Sequence, residues 1–257
     1  MSRYYSSTAS AGDMEVIFTA SFSNFDGRYA NNGWMQELPD PVTKVTWDNV
    51  ALLSANTAKQ LGVKNEDRLK VSTSGVDVVL PVWIQPGMAD NTLALELGYG
   101  REIGRVSTGV GANVGVLRYA SGMNIASGFT AEKALGTHTL ACVQDHHGFD
   151  EEKLAADAIQ ERLPAIVRES TLSDYQKDPE FAMAFAEKNE LKGMWKEHDY
   201  GEGNQWGMSI DLTSCTGCSA CTIACQSENN IPIIGKDEVS NGRDMSWIRL
   251  DRYYTGD

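Results

Sequence analysis

Long apolar runs are missing from this 257-residue chain. Nothing approaches the roughly 20 residues a membrane-spanning helix needs, so no such span is predicted. Positive charge is scarce: 22 Lys and Arg face 35 Asp and Glu, a formal net charge of −13. A general nucleic-acid binder needs a basic footprint and a polybasic membrane anchor needs clustered Lys and Arg, so both classes are excluded. Proline is sparse, at 7 residues, and 42% of the chain is hydrophobic, which excludes wholesale disorder and fibrous repeats. The first thirty residues lack a basic segment followed by an apolar one, so no signal peptide is read there. Export or membrane association is therefore expected to come from partners or from further sequence. No serine sits in a nucleophile elbow, and no Ser-His-Asp set can be assembled. Cysteine is rare everywhere but one place: four of the five fall within eleven residues.

Three textures follow one another along the chain. Residues 1–140 read as strands, turns and short helices. Residues 15–22 are rich in β-formers, and Pro39 and Pro41 break the chain. Ser54 is a candidate N-cap for a short helix through Leu61, with Gly62 as its stop. Residues 68–73 and 76–83 flank Ser74-Gly75 and predict a hairpin; Pro86-Gly87 is another turn and residues 92–97 another strand. Glycine becomes frequent from Gly98 to Gly115, as in a long loop held against something. Residues 144–202 then carry 15 Asp and Glu against 7 Lys and Arg. Leu154, Ala158, Ile159, Leu163, Ile166 and Val167 recur at helical spacing, with a kink expected at Pro164. Pro179 suits the first turn of a helix through Phe185. This stretch reads as a solvated, partly helical acidic connector. In residues 203–257, Trp206, Met208, Ile210 and Leu212 alternate with Gly207, Ser209 and Asp211, the period of a half-buried strand. Residues 245–254 are a less regular strand candidate that could pair with it.

Cys215, Cys218, Cys221 and Cys225 form C-x₂-C-x₂-C-x₃-C. Two-residue gaps in a tight loop let three thiolates converge on three corners of a cuboidal iron–sulfur cluster, and Gly217, Ser219 and Ala220 let the backbone fold closely around it. The fourth thiolate points away as the loop enters a helix near residues 222–226. In two-cluster ferredoxins that fourth Cys ligates the other cluster. A structural zinc site takes two knuckles with a longer spacer between them, and no second knuckle is present. Disulfides among cysteines so close in sequence would close small, strained loops, and a redox dithiol needs only one C-x-x-C. The spacing favours iron–sulfur. One set of four cysteines cannot supply both clusters of a ferredoxin-like module, so further sets are expected from sequence beyond this segment or from another chain.

Weaker features have plainer readings. Gly109 to Gly115 has the wrong spacing for a dinucleotide fingerprint. His146 and His147 are adjacent, so their side chains diverge, and His138 and His198 are isolated. Cys142 reads as a buried core thiol.

The order of parts resembles a known combination. A helix over residues 54–61, Gly62-Val63-Lys64 with Asp67, then strand, turn and strand, is similar to the opening of the C-terminal β-barrel of molybdopterin oxidoreductases. The run from Gly98-Tyr-Gly-Arg101 to Arg118 looks like that family's glycine-rich loop, and Gln144-Asp-His146 like a short signature after it. Joined through an acidic connector to residues 206–225, the whole resembles the iron–sulfur/molybdopterin-like fusion subunits of bacterial alternative complex III.

That resemblance implies a mixed α+β fold: an unassigned lead-in over 1–44, a molybdopterin-oxidoreductase C-terminal-type β-barrel over 45–143, a helical acidic connector over 144–202, and the start of a ferredoxin-like 4Fe-4S domain over 203–257. It implies an electron relay in quinol oxidation, passing electrons through [4Fe-4S] clusters towards cytochrome c or a similar acceptor, without substrate chemistry of its own. Cys215, Cys218 and Cys221 would bind one cluster and Cys225 its neighbour. Implied partners are haem c subunits and quinol-binding integral membrane subunits, with the chain peripheral on the periplasmic face of the inner membrane. No molybdopterin is expected, and Asn113 is the position that would line the pterin in true molybdenum enzymes. The alternative is the electron-transfer module of an active molybdopterin oxidoreductase of the polysulfide- or dimethyl-sulfoxide-reductase type.

Overall fold

The computed structural model describes residues 14–144, 147, 163–165, 167–184, 193–196 and 198–254. The chain divides into two compact units: Met1–Asp145 with Thr216–Arg252, and His146–Cys215 with Tyr253–Asp257.

The first unit is built on a closed six-stranded barrel in the order β1-β6-β3-β5-β4-β7. Its strands are β1 (Met14–Thr19), β3 (Ala51–Leu53), β4 (Asp67–Thr73), β5 (Val76–Ile84), β6 (Thr92–Glu96) and β7 (Ile125–Thr137). A two-stranded ribbon, β2 (Val45–Thr46) with β8 (Ala141–Cys142), stands beside it. Local chemistry explains several elements. The Ser54 hydroxyl accepts a hydrogen bond from Thr57 N at 3.0 Å, capping helix α2 (Ala55–Leu61). Gly62 ends it at φ 65°, a left-handed geometry that glycine adopts without strain. Ser74 and Gly75 both have positive φ, 54° and 75°, so the β4–β5 hairpin turns in the sense that matches strand twist. In β4 alternate residues are buried, placing Leu69 and Val71 inside.

Those residues join Val16, Ala51, Leu53, Val82, Leu93, Leu95 and Phe129, all fully buried, to fill the barrel. Each Val, Leu or Phe among them contributes about 1.5–3 kcal/mol by leaving water. Phe18 and Phe129 meet edge to face with centroids 6.1 Å apart. The barrel closes because β1 pairs with β6 on one side and β7 on the other. β1 lies in the stretch over 1–44 that the sequence left unassigned, so the folded unit starts before residue 45.

The cysteine-bearing segment from Thr216 to Arg252 folds with this barrel. Helix α5 (Ala220–Glu228) follows the cysteine loop, and α6 (Lys236–Ser240) follows α5. The arm between them is held by specific bonds. Glu37, at the end of helix α1 (Gly33–Glu37), accepts from Ile234 N and Gly235 N, and Trp34 Nε1 donates to Ile231 O at 3.1 Å. Gly33 lets Ile233 close in, since a Cβ there would sit 2.7 Å from its Cδ1. Val239 packs with Trp47 and Ala141 in a small apolar cluster. Lys236 Nζ lies 2.6 Å from buried Asp48, and His138 Nε2 lies 3.1 Å from the same carboxylate. His138, isolated in sequence, is therefore part of the clasp.

In the second unit, helix α4 (Leu172–Lys177) starts at Thr171, whose hydroxyl caps Asp174 N. Pro179 precedes a single 3₁₀ turn, Phe181–Met183, in place of the longer helix expected there. Val167 N donates to Leu163 O at 2.8 Å, but Leu154, Ala158, Ile159, Ile166 and Phe185 lie outside the described residues. The expected strands over 206–212 and 245–254 are not formed. Trp206 is 97% exposed and Leu212 77%, so the period-two stripe has no neighbour among the described residues to bury it. Among the described residues no helix is long and apolar enough to cross a membrane.

Candidate metal centre

Two backbone features shape the cysteine loop. Gly217 (φ 72°) and Ser219 (φ 59°) are both left-handed, which turns the chain tightly between Thr216 and α5. Ser219 and Thr222 are buried, whereas Cys218 and Cys221 are exposed and Cys225 half-buried. The loop thus anchors through its hydroxyl residues and presents its thiols. Cys221 and Cys225 are four residues apart on α5, and therefore on one face. Asn229 Nδ2 donates to Cys225 O at 2.9 Å and approaches Cys225 Sγ at 3.5 Å. Cys215 belongs to the second unit, where its N–H donates to Asp211 O at 3.0 Å. The Asp211 carboxyl also accepts from Ser214 Oγ and Thr213 N, and these bonds hold its pKa below the ordinary range.

No disulfide joins these four cysteines. Among the described residues no three Cys, His, Asp or Glu side chains converge on one point. The fit to a metal group therefore rests on donor chemistry: four thiols spaced C-x₂-C-x₂-C-x₃-C about two left-handed residues. Soft thiolate ligands suit iron–sulfur clusters and zinc. Cys142 stands apart, half-buried on β8, its Sγ donating to Gln144 O at 3.1 Å.

The loop meets two cations that the sequence did not single out. Arg252 Nη2 donates to Thr216 O at 3.4 Å, and a Cβ on Gly217 would lie only 2.9 Å from it. Its Nε donates to Pro41 O, while Gln144 clamps its backbone, Nε2 to Arg252 O at 2.6 Å and Arg252 N to Oε1 at 2.9 Å. Lys44 is 1% exposed and lines a small cleft with Ser219 and Thr222. Burial, with Arg252 second, lowers its pKa. Neither cation falls in a motif, so no sequence signal could have found them.

The glycine-rich loop, which carries the short helix α3 (Gly104–Ser107), borders a separate cleft of about 400 Å³, lined among others by Tyr99, Arg101, Asn113 and Arg118. Asn113 Oδ1 accepts from Gly115 N at 3.0 Å and caps the 3₁₀ turn Val114–Leu117. Gly100 and Gly111 serve the loop's own packing: a Cβ on Gly100 would collide with the backbone of Asn113, and one on Gly111 would fall 2.7 Å from Asn49 Oδ1. Two guanidiniums suit an anionic ligand, and both already donate to backbone, Arg101 to Asp26 O and Arg118 to Met123 O.

Much of the barrel and the whole glycine-rich loop fall in a stretch that matches a known family. Residues 22–131 match the Molydopterin dinucleotide binding domain. The matched stretch takes in the ribbon strand β2, the barrel strands β3 to β6, the glycine-rich loop and the first half of β7, and leaves out the barrel strand β1. Other parts of the chain's similarity are short. The chain is 70% identical over 45 residues to the menaquinone reductase iron–sulfur cluster-binding subunit of Nitratidesulfovibrio vulgaris, covering 17% of each protein. It is 64% identical over 28 residues to a selenate reductase subunit of Mesobacillus selenatarsenatis, covering 11% of this chain and 10% of that protein. It is 54% identical over 26 residues to the arsenate respiratory reductase iron–sulfur subunit of Chrysiogenes arsenatis, 10% of this chain and 87% of that sequence. The chain thus spans only a minor part of the first two relatives. Among solved structures, acetylene hydratase from Pelobacter acetylenicus shares 21% identity over 38% of this chain and 14% of its own, with a TM-score of 0.29, too low to bear on fold or function.

Proposed function

We propose that this chain is an electron-relay segment of a membrane-associated quinol:acceptor oxidoreductase of the alternative complex III type. The observation that carries the reading is that the thiol loop from Thr216 to Arg252 folds as one unit with the molybdopterin-binding domain. A cysteine segment merely tethered beside the barrel would not share its buried contacts. The relatives named as iron–sulfur subunits of reductases support the same class.

In this reading Cys215, Cys218 and Cys221 hold one [4Fe-4S] cluster and Cys225 contributes to its neighbour, within a ferredoxin-like domain completed elsewhere. The cluster supplies a one-electron couple. The chain's own residues position the thiolates, shield one side of the loop and set the local field. The molybdopterin-binding domain serves as scaffold without its pterin, consistent with glycines spent on the loop's own packing. Haem c and quinol-binding membrane subunits are the proposed partners, on the periplasmic face. The second reading, a module of an active molybdopterin oxidoreductase, is favoured by the 400 Å³ cleft with Arg101 and Arg118.

Metal analysis of the intact, anaerobically purified complex decides between them. Iron and acid-labile sulfide without molybdenum or tungsten is the expected result. Molybdenum or tungsten near stoichiometry supports the second reading, and zinc in place of iron overturns both.

A further inference from the structure

Lys44 is a fully buried side chain for which, among the described residues, no carboxylate lies within ion-pair distance. Its backbone explains how it comes to be there. At φ 64° it follows the Pro39–Asp40–Pro41 turn, its N–H donates to Asp40 O at 3.1 Å, and its carbonyl accepts from Val143 N at 3.2 Å. The side chain is thereby directed into the cleft that Ser219 and Thr222 close from the other side. Thr222 Oγ1 is buried in that cleft without a hydrogen-bond partner among the described residues. Arg252, tied down by Gln144 and Pro41, lies against Thr216 and Gly217 of the same loop.

Two cations against one loop, Lys44 fully buried and Arg252 half-buried, are costly. Desolvation penalises Lys44, and repulsion from Arg252 adds to it. The nearby acids, Asp40 and Asp251, act in the opposite sense, and both have other partners. Asp40 spends Oδ1 on Val42 N, Thr43 N and the Thr43 hydroxyl, and Asp251 is shared with Arg249 at 3.2 Å. Lys44 and Arg252 both lie against the loop that exposes Cys218 and Cys221. An anionic group on those thiolates would repay the cost, and a thiolate-ligated iron–sulfur cluster is such a group.

We infer that Lys44 and Arg252 are the built-in counter-charges of the cluster on this loop and raise its reduction potential. The sign follows from charge: reduction adds one negative charge to an already anionic cluster, so fixed cations stabilise the reduced form. The consequence for the architecture is that Lys44, supplied by the molybdopterin-binding domain, gives that domain a role in electron transfer that needs no pterin. The inference rests on the iron–sulfur reading proposed above.

The test is an EPR-monitored redox titration of the anaerobic complex, with iron and acid-labile sulfide measured on the same samples. Lys44→Met and Arg252→Gln each remove a charge, while Arg252→Lys restores it without the guanidinium fork. Each neutral variant is expected to keep its iron and to shift the oxidised-to-reduced ratio at fixed potential about tenfold towards the oxidised form, equivalent to 59 mV for a one-electron couple. Arg252→Lys should return close to wild type. If Lys44→Met fails to assemble, the Arg252 pair decides alone. Unchanged midpoints with iron retained overturn the inference and leave the cluster reading standing. Wild-type complex without iron and sulfide overturns the reading itself.

Discussion

Glu96 illustrates how far a single side chain can be moved by its surroundings. Burial, with Asp40 next, pushes its pKa up to about 8, against the opposing bonds from Phe22 N and Ser21. The native state therefore keeps a proton that the unfolded chain releases near pH 4.5. Stability from this group is present below the unfolded value and is lost as pH rises towards 8. Urea midpoints measured from pH 5 to 8 should fall for the wild type and fall less for Glu96→Gln. The thiols make a different prediction. Cys218→Ala should lose one cluster's iron and its EPR signal while the far-UV circular dichroism of the barrel is unchanged. Intact electron flow from quinol in that variant would sink the relay hypothesis. The four cysteines were legible because thiolate spacing is a local property. Lys44 and Arg252 were not, because nothing near them in sequence marks which residues 208 positions apart will flank one loop.

At the scale of elements, caps and turns carried most of what could be read. Ser54 and Gly62 bracket α2 as expected, and Ser54→Ala should destabilise the fold by about 1 kcal/mol in thermal unfolding. Gly100→Ala should cost more than that cap, since its Cβ would collide with the backbone of Asn113 at φ 71°. A chemical-denaturation comparison of the two variants checks the order. β7 escaped the sequence reading for a physical reason. Its pattern is broken by Gly128 and Gly136, both at positive φ, and its last residues are exposed, so the strand exists through pairing with β1 and β4. Residues 206–212 show the converse. Their alternation is that of a strand, but alternation supplies only a face, and a strand also needs a neighbour to hydrogen-bond.

For the whole molecule, the clasp between the cysteine segment and the barrel matters most. Asp48 with Lys236 and His138, Glu37 with the amides of Ile234 and Gly235, and Val239 under Trp47 hold the arm after α5. Removing one partner of a buried ion pair costs up to about 3 kcal/mol where the other is partly exposed, as Lys236 is. Asp48→Asn should therefore raise amide hydrogen exchange across residues 231–240 while the strands lining Leu69 and Leu93 stay protected. Equal loss of protection in both would mean that the clasp supports the barrel itself.

The sequence by itself determined the charge balance, the spacing of the four cysteines, the β4–β5 hairpin and the α2 caps. All are fixed by chemistry within a few residues. The tertiary structure decided that β1 closes the barrel from outside the stretch assigned to it, that the glycines of the long loop serve its own packing, and that the thiol loop rests on two cations. Each of these depends on contacts between segments distant in sequence, and such contacts are selected by the burial and pairing of the whole fold.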